Sequence, residues 1–193
     1  MSQRTLSVDS RSMGDPSRHH TLIHLEEALM AQRSAPKDNG HVGLIVRKVE
    51  GGLRQTPQHA HFTPSAGFPG DAWGRAADPD PEAQLTVMEL DLATLIANGQ
   101  PLTLFGDNLI FDLDLSAENL PIGTTLRAGK AILTVTPKPH NGCKKFNARF
   151  GSDALCFVSK PELRHRNLRG IYMRVLEAGE IAVGDVVQVL ARV

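Results

Sequence analysis

The sequence predicts a mainly β fold, a barrel or a sandwich, with few helices. Three observations predict it. Short β-branched runs such as 41–50 and 132–136 are bounded by Gly and Pro. Leu109, Phe111 and Leu113 alternate with Ile110 and Asp112, the period of a strand. Windows with helical periodicity are few. A chain of 193 residues suits one domain with an N-terminal appendage. It can bury roughly 70% of the surface it would expose unfolded, so neither disulfides nor a metal is needed to hold it.

The elements follow in order. Residues 1–20 are rich in Ser, Arg, Asp and Gly and read as a flexible tail. Residues 21–40 read as a helical extension. Leu22, Leu25, Leu29 and Met30 share one face, Thr21 serves as N-cap, and the helix ends before Pro36. Residues 41–193 then form the β domain. The run 41–50 is a strand, turned by Gly51-Gly52. Residues 53–82 hold many Pro, Gly and Asp and read as a long irregular segment. Residues 84–89 make a short strand, and 91–97 a short helix closed by Asn98-Gly99. The run 102–116 reads as a strand on each side of Gly106-Asp107-Asn108. A hairpin turns at Gly129, and its second strand stops at Pro137 and Pro139. The C-terminal run from Gly170 gives a strand, an Ala-Gly turn, and a last strand from Val186.

Lys plus Arg and Asp plus Glu both number 21. A balance of zero excludes a general nucleic-acid or membrane-surface binder, which carries basic excess. The N-terminus lacks the apolar stretch of a signal peptide, and no run approaches the roughly 20 apolar residues of a membrane span. A cytoplasmic location is therefore expected, with Cys143 and Cys156 as free thiols.

Chemistry concentrates at Cys143. The strand before it ends at two prolines, and Asn141-Gly142 reads as a tight turn. Residues 144–150 follow with Phe146 and Phe150 four apart, the spacing of one or two helical turns ending at Gly151. Cys143 thus falls at a helix N-terminus, with His140, Lys144 and Lys145 close by. Those surroundings favour a reactive thiolate. Cys156, among Leu155, Phe157 and Val158, reads as core. His59 and His61 share a strand face, and His20 and His24 a helix face, yet neither pair has a third ligand at motif spacing. Asp71, Asp78, Asp80 and Glu82 read as a solvated acidic loop. Gly106-Asp107-Asn108 suits either a turn or a ligand-facing rim. No phosphate-binding glycine loop, nucleophile elbow or HExxH occurs. A hydrolase pair of Cys143 and His140 lacks a third, orienting group.

Four blocks, GDNLIFDLDL, PIGTTLRAGKAILTVT, PHNGCKKF and RGIYMRVLEAGEIAVGDVV, together resemble the MOSC domain of molybdenum-cofactor sulfurases, the mitochondrial amidoxime-reducing component and stand-alone bacterial proteins. The resemblance covers about residues 41–193. It implies a closed, distorted β-barrel with a few short helices. It implies that Cys143 is the family cysteine, carrying sulfur or contacting molybdenum as a soft ligand. Cofactor-binding positions implied or suggested are Gly70, Asp71, Gly106, Asp107, Asn108, His140, Lys144, Lys145 and Arg169. Where many relatives follow the Gly-Asp pair with a basic residue and His, this chain has Ala72 and Trp73. Arg75, Lys144, Lys145 or Arg169 then stand as substitutes for the missing charge. The implied cofactor is the molybdenum cofactor (molybdopterin). The 193 residues leave no room for a pyridoxal-phosphate domain, so sulfur would come from a donor protein, or electrons from a redox partner. The implied activity is sulfur transfer or molybdenum-dependent reduction. The alternative is a non-catalytic binding module that kept the barrel and lost the chemistry.

Overall fold

The computed structural model describes residues 13–193 and the short strand β1 (Ser7–Asp9). Its centre is a closed barrel of seven strands. These are β2 (Asn39–Ile45), β6 (Leu85–Glu89), β7 (Leu109–Asp112), β8 (Thr125–Ala128), β9 (Ala131–Val135), β10 (Ile171–Glu177) and β12 (Val186–Ala191). The order is β10-β6-β7-β2-β12-β8-β9, and β9 pairs back onto β10. Closure leaves none of the seven with an unpaired edge. Two small sheets flank the barrel. One is β1-β4-β3, built on β3 (Arg47–Lys48) and β4 (Leu53–Gln55). The other pairs β5 (His59–Phe62) with β11 (Gly179–Ala182).

The pairs within the barrel are antiparallel except β6–β7, which is parallel. Parallel neighbours need a crossover, and α2 (Leu90–Ala97) supplies it. The chain must travel back outside the barrel before β7 can start. This is why residues 102–104 form a 3-10 turn and not the strand expected before Gly106.

Alternation along β6 and β7 builds two cores. Val87, Leu109 and Phe111 point into the barrel interior. Met88 and Ile110 point outward, into a second core under three helices. One of these is α1 (Leu22–Ala31), capped by Thr21, whose Oγ1 accepts from the His24 N–H at 3.3 Å. Leu25 is fully buried there, with Leu22 and Leu29 packed alongside, while Met30 is exposed. The third helix, α3 (Lys144–Ser159), breaks at Gly151, where φ is +91°. Only glycine adopts that angle freely, and a Cβ there would also come within 2.7 Å of the His19 ring. The first half therefore ends where the sequence placed the stop, and a second half over 152–159 continues in a new direction.

Of the stretch read as a tail, residues 1–6 and 10–12 lie outside the described residues. Residues 13–20 pack against α3 and are not free. Gly14 abuts the Arg149 carbonyl, the Asp15 N–H donates to Gln100 Oε1 at 2.7 Å, and Asp15 caps a 3-10 turn over Pro16–Arg18. The segment 53–82, expected as irregular, contains β4, β5 and two 3-10 turns.

Phe111 is fully buried in the barrel interior. Phe111→Ala should lower unfolding free energy by about 3–5 kcal/mol, the cost of a large core truncation. Leu190→Ala, at an exposed position, should change it by less than about 0.5 kcal/mol. Urea denaturation of both variants checks the contrast.

Candidate functional site

A cleft of about 410 Å³ opens beside Cys143. Its walls come from β3, the 3-10 turn at Glu50–Gly52, β4, the loop at 105–106 and the start of α3. Six cationic side chains line it, Lys48, Arg54, Arg75, Lys145, Arg149 and Arg169, against one acidic residue, Glu50. The chain as a whole is neutral, so this is a strong local concentration of positive charge. Phe105 and Phe146 supply an apolar wall.

Four of the cations are held from behind. Asp107, 1% exposed, accepts from Arg169 Nη1 at 2.7 Å, and Arg169 stacks over the Phe146 ring. Gly170 follows Arg169 with φ +90°, and a Cβ there would sit 2.1 Å from the Val87 carbonyl oxygen. Only glycine lets β10 begin this close to β6, which fixes where Arg169 emerges. Asp71, also buried, accepts from the Lys48 backbone N–H at 2.6 Å and pairs with its Nζ at 3.5 Å. Asn108 Oδ1 accepts from Lys48 Nζ at 3.1 Å and from Thr86, tying Lys48 to β6. Arg75 donates to the Gly70 and Lys48 carbonyls. Arg149 donates from Nη1 to the Leu104 carbonyl at 2.7 Å. Its pKa is lowered, chiefly by burial, with Cys143 opposing the shift and Arg169 adding to it.

Cys143 is exposed and is the N-cap of α3, with the Asn147 N–H donating to its carbonyl. The break at Gly151 leaves the helix in front of it short, so the cations outweigh the helix dipole as the source of positive potential. Residues 138–143 run as an irregular, extended loop with no tight turn at Asn141-Gly142. Gly142 packs closely on the second half of α3: a Cβ would fall 2.4 Å from Leu155 Cδ1, so that side chain would have to move.

Of the positions anticipated from sequence, the structure brings Gly106, Cys143, Lys145 and Arg169 to the cleft, with Arg75. Gly70, Asp71, Asp107 and Asn108 stand behind it as supports. Asp71 is thus buried, not part of a solvated acidic loop. Lys144 is exposed and outside the cleft lining. His140 lines a second cleft of about 420 Å³ on the far side of Arg169. Its side chain is 6% exposed and tilts against Tyr172, and its Nε2 lies 3.8 Å from Asp107 Oδ1. Cys156, expected in the core, is exposed, because the second half of α3 turns Ala154 and Phe157 inward. His59 and His61 lie exposed on one strand face, and His20 stacks on His24 at 4.2 Å. Among the described residues no group of three His, Cys, Asp or Glu side chains could hold a metal ion.

Sequence reasoning missed Lys48, Arg54 and Arg149. Arg149 carried a signal, since it falls three residues after Phe146 on the helix face that the phenylalanines mark as buried. Arg54 carried none.

Burial lowers the pKa of His140 to about 4, with Asp107 opposing and Arg169 and Lys48 assisting. In the unfolded chain it returns to about 6.5. Below that pH the unfolded chain binds a proton that the folded one refuses. The stability that His140 carries above pH ~6.5 is therefore lost as pH falls towards 4, by about 3 kcal/mol in all. His140→Gln should flatten the stability profile between pH 4 and 6.5 relative to the parent, read by urea denaturation across that range.

The fold has counterparts in solved structures. A hypothetical protein aligns with a TM-score of 0.61 at 20% identity, over 81% of this chain and 70% of its own. YiiM from Escherichia coli aligns with a TM-score of 0.54 at 20% identity, over 79% and 71%. The YuaD protein from Bacillus subtilis aligns with a TM-score of 0.53 at 16% identity, over 78% and 95%. In sequence, a protein from Gibberella moniliformis named as a reductase is 33% identical over 92 residues, 46% of this chain. The chain spans about 15% of that relative's length. The MOSC domain profile matches residues 81–188, more than half of the chain, and includes β6 to β11, the start of β12, Asp107, Cys143 and Arg169. With a closed barrel, a cysteine on the rim and a matching profile, this chain belongs to the MOSC domain family.

Proposed function

We propose that the cleft binds the molybdenum cofactor through its phosphate and presents the Cys143 sulfur to the metal, within an oxidoreductase that works with a redox partner protein. One observation carries this reading: Cys143 opens onto a cleft lined by six cationic side chains in a chain of zero net charge. The donor set fits the group. Buried Arg54, Arg149 and Arg169 suit a phosphate, Phe105 and Phe146 suit one face of a flat ring, and a thiolate is a soft ligand. A cleft of this volume falls in the range of small-molecule sites. When bound, the cofactor supplies the metal and its electron transfer. The chain's own residues hold the anion, shield one face of the ring from water, and fix the sulfur on the rim. The reductase named above matches under half of this chain and supports the reading only in that part.

A second reading is favoured by the exposure of Cys143. A partner protein can reach it, as sulfur transfer requires. The Cys143 thiolate would attack the terminal sulfur of a donor persulfide. An S–S bond forms on Cys143, the donor S–S bond breaks, and the donor leaves as a thiolate, with no external oxidant or reductant consumed.

Expression in a cofactor-competent host separates the two. Stoichiometric molybdenum, lost in Cys143→Ser, supports the first. A gain of one sulfur on Cys143 in intact mass, reversed by reductant, supports the second. Neither result, with donors supplied, returns the chain to the non-catalytic binding module. The electrostatics are tested separately by alkylation. Anionic iodoacetate should gain on neutral iodoacetamide at Cys143 by several-fold, relative to a free cysteine peptide. The gain should vanish near 1 M salt, where screening reaches about 3 Å.

A further inference from the structure

Arg54, on β4, is 4% exposed, and its Nε and Nη1 have no hydrogen-bond partner among the described residues. Buried guanidinium groups are ordinarily paired, because an unpaired buried charge costs several kcal/mol. The one opposite charge that acts on Arg54 is Asp107, whose Oδ2 is bonded to Arg169 at 2.7 Å and whose Oδ1 makes no hydrogen bond to Arg54. The other charge that acts on Arg54 is Arg149, and it is repulsive. Burial first, and Arg149 second, lower the Arg54 pKa to about 10. The cradle is shaped for this group. Gly106 faces it, and a Cβ there would come within 3.1 Å of Arg54 Nη2. Arg54, Gly106 and Arg149 all line the cleft beside Cys143.

We infer that Arg54 is a dedicated receptor for a tetrahedral oxyanion of the phosphate class, and that the bound anion is its missing counter-charge. The inference rests on the reading that the cleft takes an anionic ligand, and adds where the anion sits and what its absence costs. The ligand-free protein carries a buried charge that Asp107 offsets only in part, so anion binding and folding stability are linked through this one side chain. Asp107 offsets the charge through space but does not replace the anion, since its Oδ2 is bonded to Arg169 and no hydrogen bond joins its Oδ1 to Arg54. Arg149 cannot substitute, since its sign is the same.

The test is thermal unfolding of the full chain and of Arg54→Met, in inorganic phosphate and in chloride at matched ionic strength. In chloride, Arg54→Met should melt several degrees above the parent, because the partly offset buried charge is gone. Phosphate should raise the parent's Tm by roughly 3–5 °C for each tenfold excess over its Kd, and leave Arg54→Met unmoved. General salting effects act on both proteins alike, so the difference between them is the readout. If Arg54→Met fails to fold, Arg54→Lys serves. It keeps the charge but not the planar fork, and should lose most of the phosphate response. A purine nucleoside monophosphate distinguishes the source. A response equal to that of phosphate assigns Arg54 to a free oxyanion, and a larger one to a phosphate carried on a ring, and either supports the inference. A phosphate response that is full in Arg54→Met or Arg54→Lys overturns it, even where molybdenum or sulfur is found at Cys143. A response lost in both variants upholds it, even where neither is found.

Discussion

The cost of gathering like charges organises this molecule. Six cations cannot share one cleft, three of them buried arginines, unless the fold holds them there and offsets part of their repulsion. The offset is indirect. Asp71 and Asp107 are both buried and both lie behind the lining, one fixing Lys48 and the other Arg169. Positive groups therefore face the opening while the carboxylates face the barrel wall. That placement leaves the potential in the cleft positive even though the chain as a whole carries no net charge.

A closed barrel suits this task because its rim does not yield. Asp107 and Asn108 sit where β7 begins, beside the parallel pairing of β7 with β6. Arg169 sits where β10 begins, pressed against the same β6 through Gly170. The ion pair that crosses the rim is thus anchored on the two strands that flank β6. Leu109 and Phe111 anchor β7 from inside the barrel, and Ile110 anchors it from the helical side. Displacing the carboxylate would mean opening two cores at once, so the cleft is held by apolar packing as much as by charge.

How far the sequence disclosed this depended on distance along the chain. Alternation at 109–113 and the prolines after β9 reported local backbone geometry, and the strands lie where those signals put them. Cys143 was legible because a thiol after a proline-terminated strand, beside lysines, is a local pattern. The parallel β6–β7 pairing was not legible, and without it the run at 102–104 passed for a strand. Arg54 and Arg149 were not legible as partners either. They lie 95 positions apart and meet only because β4 and α3 border the same cleft. Asp71 was misread for a related reason. Its neighbours Pro, Gly and Asp are turn formers, but its burial is decided by Lys48, which arrives from β3. Cys156 was misread because a second helical segment after Gly151 rotates it outward.

The departure at Ala72-Trp73 can now be placed. The resemblance leads one to expect a basic residue after the Gly-Asp pair, and here that position is Ala72, which still lines the cleft. The Trp73 indole N–H donates to the Asp80 carbonyl at 2.7 Å, so the aromatic ring pins the loop. Arg75, two residues on, reaches back to the Gly70 and Lys48 carbonyls and enters the same lining. Positive charge absent at position 72 is therefore supplied at the same wall from position 75, and deeper in the cleft from β4. Moving the charge off the loop has a physical consequence. Arg75 is solvent-exposed and screened by salt, whereas Arg54 is buried and screened much less. The proposed anion would lean on the buried guanidinium, so its binding should depend less on ionic strength than binding by a loop of exposed cations.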